Sequence, residues 1–149
     1  GREQTMRIKA KSETNFVTDF IDDSKAEFAP DLWIKRMIDT IHLGTPDIYA
    51  HFNGIFLPIE AKKGFRRNGL ILDHHFKPIQ IHELMMLRKS RAYSMGLIFM
   101  DNEMRFILPE EIPENGNLNL DSFNKLPHFS WRTILDEYNI RSESIAQKQ

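Results

Sequence analysis

Cysteine is absent from the 149 residues, which excludes disulfide staples, zinc–thiolate sites and thiol nucleophiles. The same absence is what a cytosolic protein would show. No apolar run approaches the roughly 20 residues of a membrane span, so no membrane partner is expected. Net charge is also lacking: 20 basic against 21 acidic residues leave −1, and the global basic field of many nucleic-acid binders is missing with it. The balance is uneven. Residues 1–108 hold 16 basic and 14 acidic side chains, residues 109–149 hold 4 and 7, so a polyanion would have to be held by local patches or a metal ion. No Gly-rich phosphate loop, Ser-His-Asp elbow or dinucleotide fingerprint occurs. P-loop nucleotide hydrolysis and acyl transfer therefore find no support.

What is present has the composition of a folded domain: 41% hydrophobic and 28% charged residues lie outside the disordered range. There is no internal repeat. Residues 1–11, with Arg2, Arg7, Lys9 and Lys11, read as a flexible basic lead-in, and the missing initiator Met as a trimmed or truncated start. Ser12 is an N-cap candidate for a helix from Glu13 to about Ser24, whose Phe16, Val17, Phe20 and Ile21 share one face. Residues 31–40 fit either a short helix or a strand. Ile48–Phe52 and Ile55–Lys62 read as strands joined by Asn53-Gly54, a strong hairpin signal. Pro58 predicts a bulge or an edge in the second strand. Residues 64–73 read as a mobile loop. Pro78 opens a helix reaching about Tyr93 and stopped by Gly96, and strands follow at 96–100 and 104–108. Residues 109–149 read as an extension packed on the same domain, with a weak helix at 120–138 and a frayed tail. Trp33 and Trp131 sit in apolar company and read as core. The order of elements predicts an α/β domain with a mixed sheet flanked by helices.

The chemistry concentrates in Gly44-Thr45-Pro46-Asp47 and, twelve residues on, Glu60-Ala61-Lys62. Glu60 and Lys62 are two apart on a strand and share a face. The hairpin returns that strand beside Asp47, so both carboxylates reach the same end. Two carboxylates so placed repel unless a cation lies between them, and they suit a hard cation such as Mg²⁺. Lys62 is placed to act on an attacking water or on charge developing at a phosphate. The bland readings are a turn residue for Asp47 and a same-face ion pair for Glu60 and Lys62.

Pro46-Asp47 with Glu60-Ala61-Lys62 resembles the signature of the PD-(D/E)XK nuclease superfamily. With Gly44, Asn53-Gly54 and Gln80 added, the order is similar to the virus-type replication-repair nucleases (VRR-NUC) and to small Holliday-junction resolvases. The resemblance spans residues 12 to about 108, and residues 109–149 match nothing in it. It implies a restriction-endonuclease-like core (α-β-β-β-α-β) and a Mg²⁺- or Mn²⁺-dependent DNA endonuclease leaving a 5′-phosphate. Such an enzyme would serve replication, repair or recombination of a phage or mobile element, in the cytoplasm of a bacterial or phage-infected cell. It implies a metal held by Asp47, Glu60 and the Ala61 carbonyl, with Glu13 direct or through water, and Lys62 positioning or deprotonating the attacking water. Glu13 has a second reading as a partner of the helix dipole. Gln80 either orients a phosphate or Lys62, or is a solvated first-turn residue. Lys63, Arg66 and Arg67, beside Lys62, suit phosphate contacts, as they would suit a solvated loop. The segment from Lys62 to Gln80, with Arg66, Arg67, His74 and His75, is longer than the family's usual loop. His74-His75 read as polar loop residues rather than a zinc pair. Two rival functions stand beside the endonuclease: a homodimeric resolvase of branched DNA, and a non-catalytic module binding nucleic acid or protein.

Overall fold

The computed structural model describes residues 12–38 and 42–148; the basic lead-in read at 1–11 lies outside them. Helix α1 (Glu13–Phe28) opens on Ser12, whose hydroxyl accepts the Asn15 N–H at 3.1 Å. Strands β1 (Leu32–Arg36), β2 (Ile48–Phe52) and β3 (Ile55–Lys63) form an antiparallel meander. Helix α2 (Pro78–Lys89) then carries the chain to β4 (Met95–Met100), which pairs parallel with β3, and β5 (Glu103–Ile107) returns antiparallel. The sheet order is β1-β2-β3-β4-β5. A 3₁₀ turn (Pro109–Glu111), α3 (Leu120–Lys125) and α4 (Trp131–Lys148) complete the chain. Among the described residues no helix is long and apolar enough to cross a membrane.

The mixed sheet flanked by helices is the architecture that the order of elements predicted. The ambiguous segment after Pro30 is a strand, because alternate burial of Leu32 and Ile34 against exposed Trp33 and Lys35 is period two. Asn53 and Gly54 take φ of 50° and 80° in the β2–β3 turn, as a type I′ hairpin needs.

Several expectations fail. The single helix read at 120–138 is split into α3 and α4, and α4 continues to Lys148 where a frayed tail was expected. Pro58 makes neither a bulge nor an edge: it pairs in continuous register with Tyr49 in a central strand. The Phe56 carbonyl accepts the Tyr93 N–H on the β4 side at 2.7 Å. Pro58, two residues on, turns its nitrogen the same way, one residue before the β3–β4 ladder begins at Ile59 and Met95. No donor is needed there. Helix α2 stops at Lys89, with Arg91 at φ 76°, and Gly96 lies inside β4. The segment after Lys63 is tied down rather than a free loop. Phe65 N–H bonds the Ile71 carbonyl, Asp73 N–H bonds the Lys63 carbonyl, and the buried Asn117 amide brackets both backbone groups of Leu72.

Each sheet face has its own core. Phe16, Val17, Phe20 and Ile21 of α1 join Leu57, Ile59, Leu97, Phe106, Phe129 and Trp131 on one face. Leu84 of α2 joins Ile71, Phe76, Ile98 and Phe123 on the β4–β5 half of the other. Trp131 is core as read from sequence, with 1% exposure, but Trp33 is 50% exposed. Its neighbours in sequence are apolar, but its place on β1 points it away from the α1 face.

Candidate active site

Asp47 sits one residue before β2. The register Ile48↔Ile59 places it opposite Glu60. Gly44 makes this approach possible. At φ 86° it passes under the first turn of α2, where a Cβ would lie 2.8 Å from the Ile79 carbonyl oxygen; only glycine suits both conditions. The Ala61 N–H donates to Asp47 Oδ2 at 2.9 Å. In a strand the N–H and C=O of one residue point the same way, so the Ala61 carbonyl also turns toward Asp47.

Glu60 and Lys62 are buried, each 3% exposed. Gln80 joins them: its Oε1 accepts Lys62 Nζ at 3.0 Å, and its Nε2 donates to Glu60 Oε2 at 3.2 Å. Lys62 Nζ also lies 3.6 Å from Glu60 Oε2. The same Gln80 oxygen accepts the Lys77 N–H at 2.9 Å, capping α2. Gln80 is therefore no solvated first-turn residue: three donors and acceptors fix its amide. Sequence spacing alone could not show this, because Gln80 reaches Glu60 only through the β3–α2 crossover.

Glu13, in the first turn of α1, faces the same group. Burial raises its carboxyl above the ordinary value, with Lys62 opposing, the Asp47 charge adding, and His74 and a Lys63 backbone hydrogen bond lowering it. Glu60 is pushed up to about 9, by burial first and then by the Asp47 charge, against the pull of Lys62. Glu13 Oε2 and Glu60 Oε1 are buried with no hydrogen-bond partner. Buried carboxylate oxygens without donors are costly.

The donor set fits a hard cation. Three carboxylates repel one another, two of their buried oxygens lack donors, and a backbone carbonyl turns to the same point. Among the described residues no three His, Asp or Glu side chains are closed into one ligand sphere. Mg²⁺ needs only one or two carboxylates because it retains waters.

The charge of Glu60 gives a pH test. Its folded value of about 9 lies above the ordinary 4.5. Its contribution to stability is then fully present below about pH 4.5 and is lost as pH climbs toward 9. In EDTA, Glu60→Gln should melt near wild type at pH 4.5 and several degrees above it at pH 9, each kcal/mol moving Tm by about 2–4 °C. Millimolar Mn²⁺ at pH 8 should raise wild type and not the variant, by about 2.7 kcal/mol at a hundredfold excess over Kd. Melting curves that stay parallel across the pH range would remove Glu60 as the strained acid.

The basic cluster is partly self-neutralised. Arg66 Nε pairs with Asp101 Oδ2 across the loop. Lys63 Nζ and the Arg67 guanidinium lie 4.5 and 5.1 Å from the Phe65 ring centroid. His74 and His75 are exposed, and His74 Nε2 is 3.8 Å from Asp73 Oδ2.

No family model and no curated protein sequence matches the chain. Its structure is similar to that of Archaeoglobus fulgidus Hjc, a Holliday junction resolvase from an archaeal hyperthermophile. The TM-score is 0.58 at 17% identity, over 77% of this chain and 94% of that one. The fold is restriction-endonuclease-like. At this identity the likeness speaks for the architecture alone.

Proposed function

We propose that the protein is a divalent-metal-dependent DNA endonuclease. The observation that carries this reading is the convergence of Asp47, Glu60, Glu13, Lys62 and Gln80 at one end of the hairpin. Buried like charges and orphaned oxygens at that point are costly as structure and useful as a metal site. Asp47, Glu60 and the Ala61 carbonyl would hold Mg²⁺ or Mn²⁺, with Glu13 direct or through water. When bound, the ion supplies Lewis acidity at a phosphate oxygen and a more acidic water. Lys62, held by Gln80, would serve as donor or base toward the attacking water. Lys63 and Arg67 flank the site as phosphate partners.

The test is cleavage of supercoiled, linear, flapped and four-way DNA in Mg²⁺, Mn²⁺ or EDTA. Metal-dependent nicking supports the reading; unchanged DNA under every condition sinks it and leaves the non-catalytic binding module. The Holliday junction resolvase sharing this fold favours a second version, cleavage of branched DNA by a homodimer. Paired, symmetric cuts in a four-way junction would identify that version, since symmetric cleavage needs two sites. The finer affinity to VRR-NUC rests on the order of Gly44, Asn53-Gly54, Glu60-Ala61-Lys62 and Gln80.

Arg66 and Arg67 should separate in a salt titration of DNA binding. Arg67→Ala should flatten the dependence of log K on log salt by nearly one, the share of a single neutralised phosphate. Arg66→Ala should change it less, because Asp101 already neutralises Arg66. Equal slopes for both variants and wild type would remove this loop from the interface.

A further inference from the structure

The outer face of the β1–β3 half of the sheet carries a continuous row of rings. Trp33, His51 and Phe56 are cross-strand partners, one from each strand. The Trp33 and His51 rings are 5.6 Å apart, His51 stacks on Phe56 at 4.7 Å and 17°, and Tyr49 meets Phe56 at 5.1 Å. Trp33 is 50% exposed, His51 is exposed, and Tyr49 and Phe56 are half-buried. α2 and the chain after it cover the β4–β5 half of this face but leave these rings accessible.

Strand alternation puts the row and the candidate site on one surface. Along β2, Asp47, Tyr49 and His51 point the same way; along β3, Phe56, Pro58, Glu60 and Lys62 do. His51 is four residues along from Asp47, about 13 Å at strand rise. Lys35, exposed, is the cross-strand neighbour of Tyr49. The outward positions of β1 to β3 hold no carboxylate except Glu60, and Asp47 stands just ahead of β2. A strand of nucleic acid lying on this face would meet Lys35 and the rings on leaving the carboxylates.

Rings of this kind take up the flat faces of bases, which a duplex hides by stacking and exposes only when unpaired. A contact between two copies of the chain fits less well. Interface cores favour aromatic rings but are depleted of lysine, and exposed Lys35 stands in the row beside Tyr49.

We infer that Trp33, His51 and Phe56 form a base-stacking platform for an unpaired segment of the DNA strand beside the scissile phosphate. Flapped or forked DNA is then the substrate class, in preference to a continuous duplex. The inference rests on the endonuclease reading and narrows it.

The experiment measures binding of fluorescent flapped DNA and of a fully paired duplex of the same length, in Ca²⁺ without Mg²⁺. Wild type, Trp33→Thr and Trp33→Tyr are compared, with melting curves confirming that each folds. Trp33→Thr should lose about 5- to 150-fold in affinity for flapped DNA beyond any loss on duplex, the value of one stacked base. Trp33→Tyr should recover most of it. Flapped DNA should also quench the part of the tryptophan emission that Trp33→Tyr removes. Equal losses on both DNAs, or none, overturn the platform, as does a wild-type dimer in sedimentation that Trp33→Thr dissociates. If wild type cuts DNA in Mg²⁺ while the variants bind like it, only the platform fails. If wild type neither binds nor cuts any DNA, the endonuclease reading fails with it.

Discussion

Asp47→Asn and Glu60→Gln should each reduce metal-dependent cleavage by at least about a thousandfold, the several kcal/mol that a bound cation supplies to such a reaction. The isosteric amides are the right substitutions. Asp47 Oδ2 accepts the Ala61 N–H, and an amide oxygen can keep that bond. Asp47→Ala would leave the donor without its partner at a cost of about 1–3 kcal/mol, mixing a folding defect with a catalytic one. Glu60→Gln likewise keeps an oxygen for Gln80 Nε2 and removes only the ionisable group. Cleavage is read at saturating protein with Mg²⁺ and again with Mn²⁺. Either variant cutting within tenfold of wild type in both metals would show that the two acids are not the cation's ligands.

Lys62→Met should lower the single-turnover cleavage rate by about 10²–10³-fold while changing DNA affinity little. Lys62 Nζ is held at 3.0 Å from Gln80 Oε1 and 3.6 Å from Glu60 Oε2, buried rather than reaching into solvent. An interaction that strengthens only as negative charge develops lowers the rate constant when removed, whereas a phosphate clamp weakens binding. Methionine retains most of the buried chain length, so packing against Phe76, whose ring centroid lies 5.4 Å from Nζ, is largely kept. A Lys62→Met protein that cleaves at the wild-type rate once saturated would make Lys62 a binding residue.

Local signals in the sequence determined the elements and the motif. Asn53-Gly54 needs positive φ at both positions, so it declares its own hairpin; Glu60 and Lys62, two apart on a strand, must share a face whatever surrounds them. From these follow the hairpin, the pairing of Asp47 with Glu60 and the expectation of a cation. Ser12, Pro78 and the stripe of Phe16, Val17, Phe20 and Ile21 likewise act within one turn or one face. What depends on a neighbour distant in sequence was decided by the tertiary structure. Leu32–Arg36 became a strand only because β2 offered it a partner. Pro58 fits a central strand because β4 starts one residue later. The run from Gly64 to Asp73 is tied because Asn117, far along the chain, brackets Leu72. Gln80 is oriented by the crossover that brings α2 over Glu60 and Lys62. Trp33, apolar among apolar neighbours, faces outward because the register of β1 assigns its side of the sheet. Periodicity and turn chemistry are properties of a few consecutive residues; burial, hydrogen-bond partners and raised carboxyl pKa values belong to the space that several distant segments enclose together.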